Sequence, residues 1–80
     1  MIYGIYCMKD VKTGFLNPFV EVNDDVAVRG FANAMMAPGT VYSNFSADFS
    51  LYKVGLFDSE LCVLSGVDKV LIAEASQFVK

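Results

Sequence analysis

Residues 15–31, FLNPFVEVNDDVAVRGF, limit what this chain can fold into more than any other stretch, because they pass from an apolar strand to a helix within a few positions. Pro18 has no N–H to give to a ladder, so the segment FLNPFVEV (15–22) is expected at a sheet edge or interrupted near its middle. Asn23 is a good N-cap, and Asp24 and Asp25 sit in a first helical turn, where the dipole favours negative charge. Ala27, Val28, Phe31, Ala34 and Met35 then draw one apolar stripe, while Arg29 and Asn33 lie off it. The helix should run from about residue 24 to Met36 and stop at Ala37-Pro38-Gly39.

Strands surround this helix. IYGIYCMK (2–9) is β-branched and aromatic, with Tyr3, Ile5 and Cys7 on one face and Ile2, Tyr6 and Met8 on the other. Both faces are apolar, so both are expected to be covered. Asp10 to Gly14 forms a turn, and 15–22 returns as the second arm of a hairpin. Residues 40–48 read as a loop. FSLYKVGLF (49–57) alternates as a strand, with Phe49, Leu51, Lys53, Gly55 and Phe57 on one face and Tyr52, Val54 and Leu56 on the other. Asp58-Ser59-Glu60 turns the chain, and LCVLS (61–65) pairs back. In the tail, Val67, Val70, Leu71, Ala75 and Phe78 fit a helical stripe while VLIA (70–73) fits a strand; a short strand followed by a turn or short helix is expected. The fold class is α+β: one domain over residues 1–80, a small antiparallel sheet with one main helix packed on it, in β-β-α-β-β order with the tail open.

Size and composition point to partners before chemistry. A chain of 80 residues buries only roughly 60% of its extended surface, yet 55% of these residues are hydrophobic. Self-association is the simplest outlet, and a symmetric dimer its default form. No apolar run reaches the roughly 18–20 residues that span a bilayer, so no membrane partner is expected, and MIYGIYCM lacks the features of a signal peptide. Cys7 and Cys62 lie in apolar segments and read as buried free thiols of a reducing cytoplasm, although a pairing between them stays open.

No catalytic, cofactor or metal site emerges. Histidine is absent, which removes the usual neutral-pH base and the commonest metal ligand. Asp24 and Asp25 are adjacent and explained by capping, Asp58 and Glu60 flank a turn, and neither cysteine has a base. The glycines form no phosphate loop, and the thiols and carboxylates lack ligand spacing. The expectation is a protein that is not an enzyme. Six basic against nine acidic residues, a net charge of −3, also argue against tight, salt-driven binding to a phosphate backbone. Single-strand binders nonetheless combine modest basic grooves with aromatic platforms. Lys9, Lys12 and Phe15 at the first turn, Tyr52 and Lys53 on a strand, and Arg29 on the helix are the candidates. The plainer reading, core aromatics and a scattered solvated surface, outweighs this on residues alone.

Set in order, Lys9-Asp10-Val11-Lys12-Thr13-Gly14, Pro18-Phe19, Asn23-Asp24 with Ala27, Arg29 and Phe31, and Asp48-Phe49, Leu51-Tyr52, Gly55 and Phe57-Asp58 resemble the small nonstructural protein of gokushovirus-like phages of the Microviridae. The resemblance runs through nearly the whole chain to the closing AEASQFV. The helix exit MMAPGTVYSNFSAD departs from the family in lacking a basic, His-Pro-containing loop. The resemblance implies a nonstructural protein in the cytoplasm of an infected bacterium, with a DNA-binding role in synthesis of a circular single-stranded genome. The alternative is a protein–protein adaptor or homo-oligomeric module acting on a phage or host replication protein. Cations gathered on one face would favour DNA; dispersed cations would favour the adaptor.

Overall fold

The computed structural model describes residues 1–78; Val79 and Lys80, the end of the tail that the sequence left open, lie outside the described residues. Helix α1 spans Asp24–Met36. Asn23 caps it, its side-chain oxygen accepting from the Val26 N–H at 2.9 Å, which satisfies one of the free donors of the first turn. The apolar stripe faces inward: Ala27, Phe31 and Met35 are buried, and Val28 and Ala34 pack against the same core.

Five strands form one antiparallel sheet. Strand β1 (Ile2–Asp10) pairs with β2 (Gly14–Phe15) and β3 (Phe19–Glu21) on one side and with β4 (Phe49–Asp58) on the other; β5 (Val63–Glu74) pairs with β4 and forms the opposite edge. The single return arm read from the sequence is thus two short strands, with Pro18 between them. The order therefore departs from β-β-α-β-β, and strands dominate. Residues 40–48, read as a loop, contain the one-turn helix α2 (Val41–Asn44) and a 3₁₀ turn at Ser46–Asp48. Thr40 caps α2 by accepting from the Ser43 N–H.

The tail resolves as strand. β5 continues through Glu74 and ends in a 3₁₀ turn over Ala75–Gln77. Only its last stretch touches the core: Ala73 and Ala75 are buried, whereas residues 61–71 are exposed throughout. Cys62 is therefore not a buried thiol. It sits exposed in the β4–β5 turn with φ +55°, a left-handed conformation that a side chain disfavours. Cys7 is buried, its thiol pushed above the ordinary value by burial, and both cysteines are free.

The core is built on one face of the sheet. Tyr6, Phe49, Leu51 and Ala73 meet Ala27, Phe31 and Met35 of α1. A register shift corrects the alternation read for β4. Ile5 pairs with Gly55 but Tyr6 with Lys53, leaving Val54 as an extra residue. A bulge reverses which face the following residues occupy. Phe49, Leu51 and Lys53 stay on the helix side with Leu56, while Gly55 and Phe57 cross to the face of Tyr52. No helix packs on that second face among the described residues. Even so, Ile5 and Cys7 are buried there, beside larger aromatic neighbours.

Candidate functional site

Two constellations stand out, one on each face of the sheet. On the helix side, Tyr6 is fully buried, and its hydroxyl donates to Asp24 Oδ1 at 2.5 Å. Lys53 Nζ lies 3.1 Å from the same oxygen and 6.0 Å from the Tyr6 ring centroid. Tyr6 reaches Asp24 because its ring lies back along β1 over Gly4; a Cβ at residue 4 would overlap the Tyr6 hydroxyl. Burial first, then the Asp24 hydrogen bond, push the Tyr6 phenol well above its usual range. The hydrogen bonds from Tyr6 and Lys53 hold the Asp24 carboxyl below its usual value, outweighing its partial burial. Asp24 was readable as a first-turn acid; its role in tying the helix to the sheet was not, since Tyr6 is 18 residues away.

An open cleft of about 440 Å³ adjoins this cluster, lined in part by Asn23, Asp24, Asp25 and Lys53. Lys53 and Asp24 neutralise each other there, so the cleft offers no concentrated positive charge for an anion, and Asp25 is an exposed carboxylate of the first helical turn. No three His, Cys, Asp or Glu side chains stand close enough to hold a metal ion among the described residues, and no helix there is long and apolar enough to cross a membrane.

The second constellation lies on the face without a helix. Register places Tyr3, Ile5, Cys7 and Lys9 of β1 there, with Phe15 of β2, Val20 of β3, and Tyr52 and Phe57 of β4. Phe15 meets Tyr52 edge to face at 5.4 Å between centroids, and Lys9 Nζ sits 5.6 Å from the Phe15 centroid. Towards the other end, Tyr3 stacks on Phe57 at 6.2 Å. Four aromatic rings thus occupy the sheet face without a helix, in two pairs, with Phe15 exposed and Tyr3, Tyr52 and Phe57 half-buried.

The six candidates from the sequence divide accordingly. Lys9, Phe15 and Tyr52 come together on the open face. Lys12 lies exposed in the adjoining β1–β2 turn, its backbone N–H donating to Asp10 Oδ1 at 2.9 Å. Lys53 is on the opposite face, in an ion pair with Asp24. Arg29 is exposed on α1, on the other side of the sheet from Lys9, Phe15 and Tyr52. Tyr3 and Phe57 were not among the candidates; alternation without a bulge set Phe57 on the face of Lys53 and away from Tyr52.

No curated protein and no solved structure matches the chain. A family model does: that of the Phage ORF5 protein covers residues 3–78 and so takes in the helix, every paired strand and both constellations. The chain is a phage protein and belongs to the Phage ORF5 protein family.

Proposed function

We propose that this phage protein is a non-enzymatic, nonstructural protein that binds single-stranded DNA on the open face of its sheet and assists synthesis of a single-stranded genome, as the resemblance to the Microviridae protein implies. The observation that carries this reading is the Lys9–Phe15–Tyr52 cluster on a sheet face that no helix covers. Bases stack on aromatic faces irrespective of sequence, and a cation beside them meets the backbone. Tyr3 and Phe57 extend the platform along the same face. The DNA contact is then narrower than the sequence set: Lys9 and Lys12 meet phosphate, Phe15 and Tyr52 stack, and Arg29 and Lys53 stand outside it. Binding takes place in the infected bacterium, and a net charge of −3 keeps it weak.

Fluorescence anisotropy with a labelled oligothymidine at low and moderate salt tests the reading. Two phosphate contacts should give a salt slope of only about −1.4, from roughly 0.7 per phosphate. Phe15→Ala, at an exposed residue, should weaken binding about tenfold, within the range for losing one stacked base. Absence of salt-sensitive binding at micromolar protein overturns the proposal.

A second reading is favoured by a specific observation: Arg29 and Lys53 do not join Lys9 and Lys12. Dispersed cations suit a protein–protein adaptor acting on a phage or host replication protein. In that case the aromatic face would take a polypeptide, and Phe15→Ala would abolish capture of that partner without any affinity for oligothymidine to lose.

A further inference from the structure

A cleft of about 230 Å³ opens where β1 ends and β4 begins, lined by Asp10, Lys12, Val41, Phe45, Asp48 and Phe49. It is smaller than the roughly 300–1,000 Å³ sites that enclose drug-sized ligands, which suits a single ring system. Phe45 is 59% exposed, more than any other aromatic side chain among the described residues, and Val41 is 56% exposed. An aromatic face left open to water at such a cleft is a stacking surface without an occupant.

Backbone hydrogen bonds fix its walls. The Phe45 N–H donates to the Val41 carbonyl at 3.0 Å, and the Asp48 N–H donates to the Phe45 carbonyl at 2.9 Å. The Asp48 carbonyl accepts from the Val11 N–H at 3.0 Å, which fastens this wall to the end of β1. The two carboxylates differ in what they have left to offer. Each oxygen of Asp10 already has a donor, the Lys12 N–H at 2.9 Å on Oδ1 and the Thr13 hydroxyl at 3.2 Å on Oδ2. The half-buried Asp48 carboxylate has neither a hydrogen-bond donor nor an ion-pair partner among the described residues. The cleft therefore offers an aromatic face and one fixed, unused acceptor.

We infer that this cleft takes a guanine base of the bound strand, stacked on Phe45 and held by the Asp48 carboxylate; the inference rests on the reading that single-stranded DNA lies on the open face. A carboxylate can only accept, and it accepts best from two donors side by side. The Watson–Crick edge of guanine carries such a pair, the ring N–H and the neighbouring amino group. Cytosine and adenine set one amino group beside a ring lone pair, and thymine sets one N–H between two carbonyl oxygens, so each brings a lone pair against the carboxylate. Lys12 connects the two sites: it lines the cleft and stands three residues before Phe15, where it meets the phosphate between the two stacked bases. Its charge also disfavours a cationic side chain of a protein partner as the occupant.

The test compares the full chain on two labelled strands, oligothymidine and the same oligothymidine with one central guanine. The guanine should tighten binding about tenfold, within the range of one bidentate base contact. Inosine in its place lacks the amino group and should lose most of that gain. Asp48→Ala should leave the chain unable to tell the two strands apart, and Phe45→Ala, at an exposed ring, should shrink the preference while circular dichroism stays unchanged. Phe15→Ala should weaken both strands alike, which separates the open face from the cleft. Equal affinity for the two strands, or a guanine preference that survives Asp48→Ala, overturns the inference while oligothymidine binding leaves the open-face reading standing. An arginine-rich peptide that binds through Asp48 where guanine confers no advantage gives the cleft to a protein partner and overturns it too. Binding of neither strand overturns both.

Discussion

Tyr6 shows how one side chain joins the parts of this molecule. It is buried in the core, it needs a glycine at position 4 to lie along its strand, and it donates to the first residue of the helix. Tyr6→Phe should cost about 1–2 kcal/mol in urea unfolding, as expected for losing a hydrogen bond to a charged acceptor. Gly4→Ala should cost about 1–3 kcal/mol, because the Tyr6 ring must leave its place. The pH dependence follows from Asp24. Its carboxyl is held low in the folded state, so the stability it adds is present above the ordinary carboxylate value of about 3.9 and is lost as pH falls through the lowered one. Asp24→Asn should flatten the acid limb of a stability profile below about pH 4. The Tyr6 phenol is raised, so its contribution is complete below about pH 10 and is lost as pH rises beyond that. Asn23 and Asp24 could be read as a helix start because capping is local. The partnership of Asp24 with Tyr6 and Lys53 could not, because it depends on how the helix settles on the sheet.

At the scale of elements, α1 was legible and the faces of β4 were not. The helix announces itself through a cap, a stripe and a Pro-Gly stop, all within its own residues. Strand alternation carries no mark of a bulge, since Val54 is extra only in relation to what β1 does beside it. One inserted residue therefore moved Phe57 from the face of Leu51 and Lys53, where plain alternation put it, to that of Tyr52. The ambiguity of the tail has a similar source: Val67, Val70 and Leu71 suit a helical stripe or a strand, and pairing with β4 decides between them. Gly55 marks how close that pairing is, because a Cβ there would stand 2.7 Å from the Ser65 carbonyl oxygen. Gly55→Ala should lower the melting temperature by several degrees, corresponding to about 1–2 kcal/mol in a domain this size, and amide exchange should quicken along β5 before α1.

The whole molecule measures 40 × 21 × 17 Å, an elongated body with its core under α1. The surplus apolar content that suggested self-association is located: it lies along β5 and on the aromatic face, outside the core. Of the candidate DNA contacts, the three that converge were legible by residue type alone, while their separation from Arg29 and Lys53 required the sheet and helix together. In the proposed function the open sheet face, and neither the helix nor the edge strand, meets single-stranded DNA. Titration of isotope-labelled protein with oligothymidine, followed by amide chemical shifts, tests it most directly. Shifts should concentrate at Lys9, Lys12, Phe15 and Tyr52, with Arg29 unmoved. Shifts confined to α1 or β5, or none at millimolar oligonucleotide, would contradict it.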